Sequence, residues 1–271
     1  HNKNRNKDEI GTKQFFQNLT DAIKHLGIDY VSALPTITDF EDLPEVTTFY
    51  RKLGFKEIFM RPVNYQGFAR KSFDQQSKNQ ENWNKAYLSS LAQIFADNEV
   101  NKNKIIEINF ALHIKKIFAP SFKSHVDFRN PNPVAEDYLV INFDGTFFPS
   151  DEARMLHRVG YVDLSIGSLT DGFDYKAIAT LNDASTLDRY KACDECAFKP
   201  FCGIDITDLI SRHGTLDVAM EDTYHCKNHI GVFDYIFTKL FERDPVFLRN
   251  VNLCLTGTYD MTSVASGLIY D

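Results

Sequence analysis

Four cysteines, Cys193, Cys196, Cys202 and Cys226, stand in the C-terminal third as C-x2-C-x5-C-x23-C, and no other feature restricts the fold as sharply. Four soft thiolates that one short loop and one later turn can bring together read as a tetrahedral metal or iron–sulfur site. Structural zinc uses the same ligands and often the same spacing, so the cysteines by themselves leave zinc and cluster both open. A disulfide pair or scattered core cysteines is the third reading. Disulfides need an oxidising compartment, which nothing else in the sequence suggests. The fifth cysteine, Cys254, is spare and suits a small buried hydrophobe.

Composition narrows the function. With 271 residues, 43% hydrophobic, the chain can bury a substantial core as one large domain or two ordinary ones. A net charge of −7 argues against a nucleic-acid-binding face, and the basic runs at Lys102 to Lys104 and Lys115-Lys116 are short enough to be solvated surface. No apolar run approaches the ~20 residues that span a bilayer, and the polar start His1-Asn2-Lys3-Asn4-Arg5 is no signal peptide. The expectation is a cytoplasmic protein with reduced thiols and neither nucleic acid nor membrane as partner.

The first third alternates helix and strand. Phe15, Leu19, Ile23 and Leu26 recur at helical spacing and Gly27 caps them; Ile28 to Thr36 then reads as a strand. Leu43, Val46, Tyr50 and Leu53 form a second stripe closed by Gly54, before a second strand from Phe55 to Met60. A third helix carries Tyr87, Leu88, Leu91, Ile94 and Phe95 after a polar stretch from Ser72 to Asn82, and Ile105 to Phe118 reads as a short strand running into a helix. This βα pattern implies parallel strands, which are stable only when both faces are buried, and two or three of them leave an open edge. The missing strands are expected upstream in a longer polypeptide or on another chain.

At Asn130-Pro131-Asn132-Pro133 the character changes. Residues 1–130 read as an α/β unit, and 134–271 as a small α+β domain opening on a β-hairpin, Asp137 to Phe143 and Thr146 to Pro149, with its turn at Asp144-Gly145. A helix over Asp174 to Tyr190 precedes the cysteine loop. Ile230, Phe233, Phe237 and Leu240 mark an amphipathic helix just after Cys226, and Val246 to Asp271 is apolar without a clear pattern.

The hairpin's Asp144-Gly145-x-x-x-Pro149, the C-x2-C-x5-C-Gly203 loop, the later cysteine and Phe233-Asp234 together resemble the SPASM domain of radical S-adenosylmethionine enzymes that modify peptides. His1-Asn2-x-x-Arg5, Ala33-Leu34-Pro35-Thr36 and Phe59 to Gly67 resemble the second half of the partial (β/α)6 barrel of those enzymes. Among subfamilies the chain looks most like the maturases of the His-Xaa-Ser peptide system. The resemblance implies a partial barrel followed by a cluster-binding domain, and one auxiliary [4Fe-4S] cluster on Cys193, Cys196, Cys202 and Cys226. It also implies a ribosomally made peptide or protein as substrate, with S-adenosylmethionine as cosubstrate of the complete enzyme only.

Two departures from the family pattern matter. The C-x3-C-x2-C loop that starts the radical chemistry does not occur in these residues; all five cysteines lie beyond residue 190. A second auxiliary cluster would need cysteines where Ser150 and Ile206 stand. Asp151, beside the lost cysteine, matches the place of a substrate base in some members and reads equally as a surface turn acid. Arg61, Asn64 and Gln66 would lie at the C-terminal end of a barrel strand, placed to contact the adenosine part of the cosubstrate, and Arg61 reads equally as a structural salt-bridge partner. His113, His125, His157, His213, His225 and His229 show no shared metal spacing; His225, beside Cys226, could replace a ligand, but with four cysteines present it is expected behind the ligands or facing solvent.

Two functions follow from this reading. The chain is the C-terminal portion of a radical S-adenosylmethionine maturase, or it is a non-catalytic binding module stapled by a four-cysteine zinc or cluster.

Overall fold

A computed structural model describes residues 9–73, 82–119, 125–136 and 138–259. The motif at His1 to Arg5, most of the polar stretch after Ser72, Asp137 and the tail from 260 lie outside them.

The chain is mixed α/β and helix-rich, with its strands gathered in small sheets. The parallel part is a ladder of three short segments. Ala33 bridges Ile58, Thr36 and Ile37 pair with Arg61 and Pro62, and Glu57 and Ile58 pair on the other side with Ile106 and Glu107. Parallel pairing of the first two strands through the helix Leu43–Lys52 is as the periodicity predicts. No barrel forms among the described residues.

The first strand is shorter than expected. Gly27 has φ 89, which turns the chain out of the helix Glu9–Leu26, and Ile28–Tyr30 continues as a 3-10 turn with Tyr30 82% exposed. Strand pairing is confined to Ala33, Thr36 and Ile37. The outer side of Thr36–Ile37 pairs with no strand among the described residues.

Glu107 ties this half together. It is buried and caps the helix Ile108–Phe118, accepting from the backbone N–H of Phe110 at 2.7 Å and of Met60 at 3.0 Å, and from the Tyr87 hydroxyl. One carboxylate thus joins the ladder to two helices, Trp83–Val100 and Ile108–Phe118. Burial pushes its pKa up to about 7 against the pull of these donors.

Two cores result. One gathers the ladder, Trp83, Tyr87, Leu91, Ile94 and Phe110; the other gathers Phe147, Phe148, Leu156, Ile166, Leu187, Ile204 and Leu209. The Pro/Asn segment at 130–133 falls between them, but the chain returns: Val232, Ile236, Phe247, Val251 and Cys254 pack in the first core. The helices Tyr224–Phe241 and Pro245–Thr256 therefore bridge the halves. Asn98 anchors the second of these, donating to Asn250 at 2.7 Å and to the Ile105 carbonyl at 2.9 Å.

The second half starts with the expected hairpin. Val140–Ile141 pairs antiparallel with Thr146–Phe148, closed by Asn142 to Gly145, where Gly145 has φ 86. Gly167–Ser168 and Gly172–Phe173 extend it to four strands. The helix expected over Asp174 to Tyr190 runs from Tyr175 to Ala184, capped by Asp174, and breaks into a 3-10 turn at Leu187–Arg189.

Candidate metal centre and the adjoining cleft

A run of tight turns turns the cysteine loop back on itself. The Cys193 N–H donates to the Tyr190 carbonyl at 2.9 Å, Lys199 to Cys196 at 3.1 Å, and Cys202 to Phe198 at 3.0 Å. Lys199 holds the loop closed by pairing with Asp188 and Asp194, each at 2.8 Å. Phe198 stacks on Phe233 and Phe237 at 5.6 and 5.8 Å, which seats the loop on the helix Tyr224–Phe241. That helix carries Cys226 in its first turn, its N–H taken by the capping Thr223 hydroxyl at 3.1 Å. A helix N-terminus favours a thiolate there.

All four cysteines line one cavity of about 130 Å³, walled by Leu187, Met220, Ile230 and Phe233. They are free thiols, so the disulfide reading is not what the structure contains. Burial, then the neighbouring Cys226 and Cys193, pushes the Cys202 thiol up to about 12; burial, then Cys193 and Cys196, pushes Cys226 to about 11. Burial also raises Cys193, with Cys196 adding to it. Thiols raised in this way become thiolates together only around a strong positive charge, which is the chemistry a metal supplies.

Sulfur spacing bears on which metal group fits. Around a single tetrahedral zinc with Zn–S of about 2.3 Å, sulfurs stand roughly 3.8 Å apart. Among the described residues the set of three whose ligand atoms all lie within 4.8 Å of one another is Cys202, His225 and His229, and no three of the four thiols form one. The cavity is also far larger than the ~10–15 Å³ that holds a water.

The histidines correct the sequence reading. His225 and His229 are four residues apart on one helix, hence on one face, and their rings stack at 4.2 Å. His225 does not face solvent; it is buried and lines the cavity. Its Nε2 lies 3.0 Å from the Gly203 carbonyl, and Nδ1 of His229 lies 3.5 Å from Cys202 Sγ. Burial, then His225 and His113, holds His229 well below the ordinary histidine pKa. The H-x3-H spacing was the signal that sequence reasoning missed.

His225 and His229 also line a second and larger space, a cleft of about 660 Å³ between the halves. Arg61, Asn64 and Gln66 line it too, from the end of the middle strand. Arg61 and Asn64 are exposed; Arg61 lies over the Phe59 ring at 5.3 Å. Gln66 is buried, donates to Asp208 Oδ1 at 3.1 Å, and leaves its Oε1 without a partner among the described residues. Asp208 in turn accepts from Arg212 Nε with both oxygens, at 2.8 and 2.7 Å, and Arg212 lies over the Tyr224 ring at 4.1 Å. Asp151 is apart from this group. Its side chain is 56% exposed and pairs with Arg154, one turn along the helix Asp151–Arg158, whereas its neighbours Ser150 and Glu152 line the cleft.

No family model, no curated protein and no solved structure matches this chain significantly.

Proposed function

We propose that the chain is the C-terminal portion of a radical S-adenosylmethionine peptide maturase, with one auxiliary [4Fe-4S] cluster on Cys193, Cys196, Cys202 and Cys226. The observation that carries the proposal is the convergence of these four thiols, from a loop and a separate helix, on one 130 Å³ cavity whose His225 and His229 wall is shared with the cleft. In this reading the cleft takes cosubstrate and substrate, with Arg61, Asn64 and Gln66 on the cosubstrate side. The fixed Gln66 carbonyl suits a donor group such as an amine or amide. The partial barrel is completed by strands from an N-terminal half or a partner chain, consistent with the outer side of Thr36–Ile37 lacking a partner strand among the described residues. Asp151, as it lies, reaches the cleft only through its neighbours and is the least supported member of the site.

Anaerobic reconstitution with iron and sulfide tests this. The reading requires a broad charge-transfer absorption that reductant bleaches and that Cys196→Ser diminishes; a colourless protein excludes it. A non-catalytic module stapled by structural zinc is the second reading. It draws support from the compact Cys202, His225 and His229 set.

A further inference from the structure

We infer that Cys202, His225 and His229 form a mixed thiolate–imidazole site for one divalent transition-metal ion of the zinc class, used when the four-cysteine cavity carries no cluster. The inference goes beyond the cluster reading, and because Cys202 belongs to both sets the ion and the cluster are alternative occupants.

Three observations carry it. The ligand atoms of the three residues lie within 4.8 Å of one another, close enough for one small ion. Two of the ligands stand at i and i+4 on a single helix, so the backbone fixes their separation before any metal arrives. And Nε2 of His225 is spent on the Gly203 carbonyl at 3.0 Å, which makes that nitrogen the N–H donor and leaves the Nδ1 lone pair for a metal. A backbone carbonyl holding the far nitrogen of the ring is the usual support of a metal-ligating histidine.

Borderline-soft zinc suits one sulfur and two imidazoles, whereas hard cations such as magnesium take oxygen. Three protein ligands leave the fourth tetrahedral position open. Both histidines line the cleft as well as the cavity, so a small ligand can reach an ion there from the cleft. Binding deprotonates the Cys202 thiol, whose proton leaves to solvent.

Cobalt(II), which takes zinc's place and whose visible spectrum reports how many thiolates bind it, decides the matter in metal-free, reduced protein under argon. The expected result is one cobalt per chain, displaced by zinc, with the spectrum of one thiolate and two imidazoles. The variant Cys193→Ser/Cys196→Ser/Cys226→Ser should keep that spectrum. In His225→Ala/His229→Ala binding should weaken by more than about tenfold, since losing even a supporting partner costs 10–100-fold. A four-thiolate spectrum in the unmodified chain, or histidine variants that bind as it does, overturns the inference. The unmodified chain reports its own ligand set, so the outcome stands even where a variant fails to fold. Reconstituting the double-histidine variant with iron and sulfide separates the two readings, because it keeps all four cysteines. A cluster there, with mixed-ligand cobalt in the unmodified chain, supports both; mixed-ligand cobalt with no cluster in the unmodified chain leaves this inference and removes the cluster.

Discussion

Cys202 Sγ lies 3.5 Å from Nδ1 of His229, and the His229 ring forms a wall of both the cysteine cavity and the cleft between the two halves. A group bound by Cys202 is therefore separated from a ligand in the cleft by little more than an imidazole. In the proposed reading, that juxtaposition would make a metal centre there part of the cleft's chemistry rather than a remote staple.

Replacing Cys196 by Ser should lower metal content and loosen the region after residue 190, because this cysteine lies in the loop that closes the cavity. Hydrogen exchange reads both halves at once. Faster exchange over 190–226 with little change at Tyr87 or Phe110 is expected; unchanged exchange with unchanged metal content would refute the site.

Asp208 and Arg212 form an ion pair, Arg212 Nε shared between both carboxylate oxygens, with side chains only 12% and 9% exposed, and Gln66 joins it from the first half. Removing the acid takes away the carboxylate that the buried guanidinium pairs with. Asp208→Ala should cost about 3–5 kcal/mol, and Gln66→Ala less, in urea denaturation. A loss for Asp208→Ala below about 1 kcal/mol would show that the pair is solvated.

Two buried groups shape the pH dependence of stability. Glu107 titrates at about 7 when folded against 4.5 as a free group, so the folded chain holds more protons between these values and stability falls as pH rises through about 7. His113 is held down to about 4 from 6.5 by burial, so here the unfolded chain holds more protons and stability is lost as pH falls toward 4. Between 4.5 and 6.5 the two slopes cancel. Their sum is flat there and declines on either side, by at most ~1.4 kcal/mol per pH unit per group. The check is the difference between the unmodified chain and Glu107→Gln, which should shrink as pH rises from about 4.5 to about 7 and level off above that; a difference constant across this window would remove Glu107 from the account.

By itself the chain should not cleave S-adenosylmethionine, even when reconstituted and reduced. Reductive cleavage needs an iron with an open coordination position, and four cysteines fill every iron of the proposed cluster. 5′-Deoxyadenosine formed above a metal-free control would overturn this expectation.

The legible parts of this fold are those decided by local pattern. Helical stripes such as Tyr87, Leu91 and Ile94, the Asp144-Gly145 turn and the cysteine spacing all announce structure within a few residues. Where long-range pairing decides, the reading was looser: Ile28–Tyr30 looks extended by composition but has no strand partner, and winds into a 3-10 turn after Gly27. The return of Phe247 and Val251 to the first core is invisible to periodicity, since an apolar stripe does not say which core it joins. The same holds for the site. The four thiols could be named from spacing, whereas the sharing of His225 and His229 between cavity and cleft depends on how Phe198 seats the loop on the helix.

The central claim is that one polynuclear iron–sulfur group is held by Cys193, Cys196, Cys202 and Cys226. Iron, acid-labile sulfide and zinc measured together on anaerobically reconstituted protein test it most directly. The account predicts about four iron and about four sulfide per chain. One zinc per chain with no sulfide would contradict it.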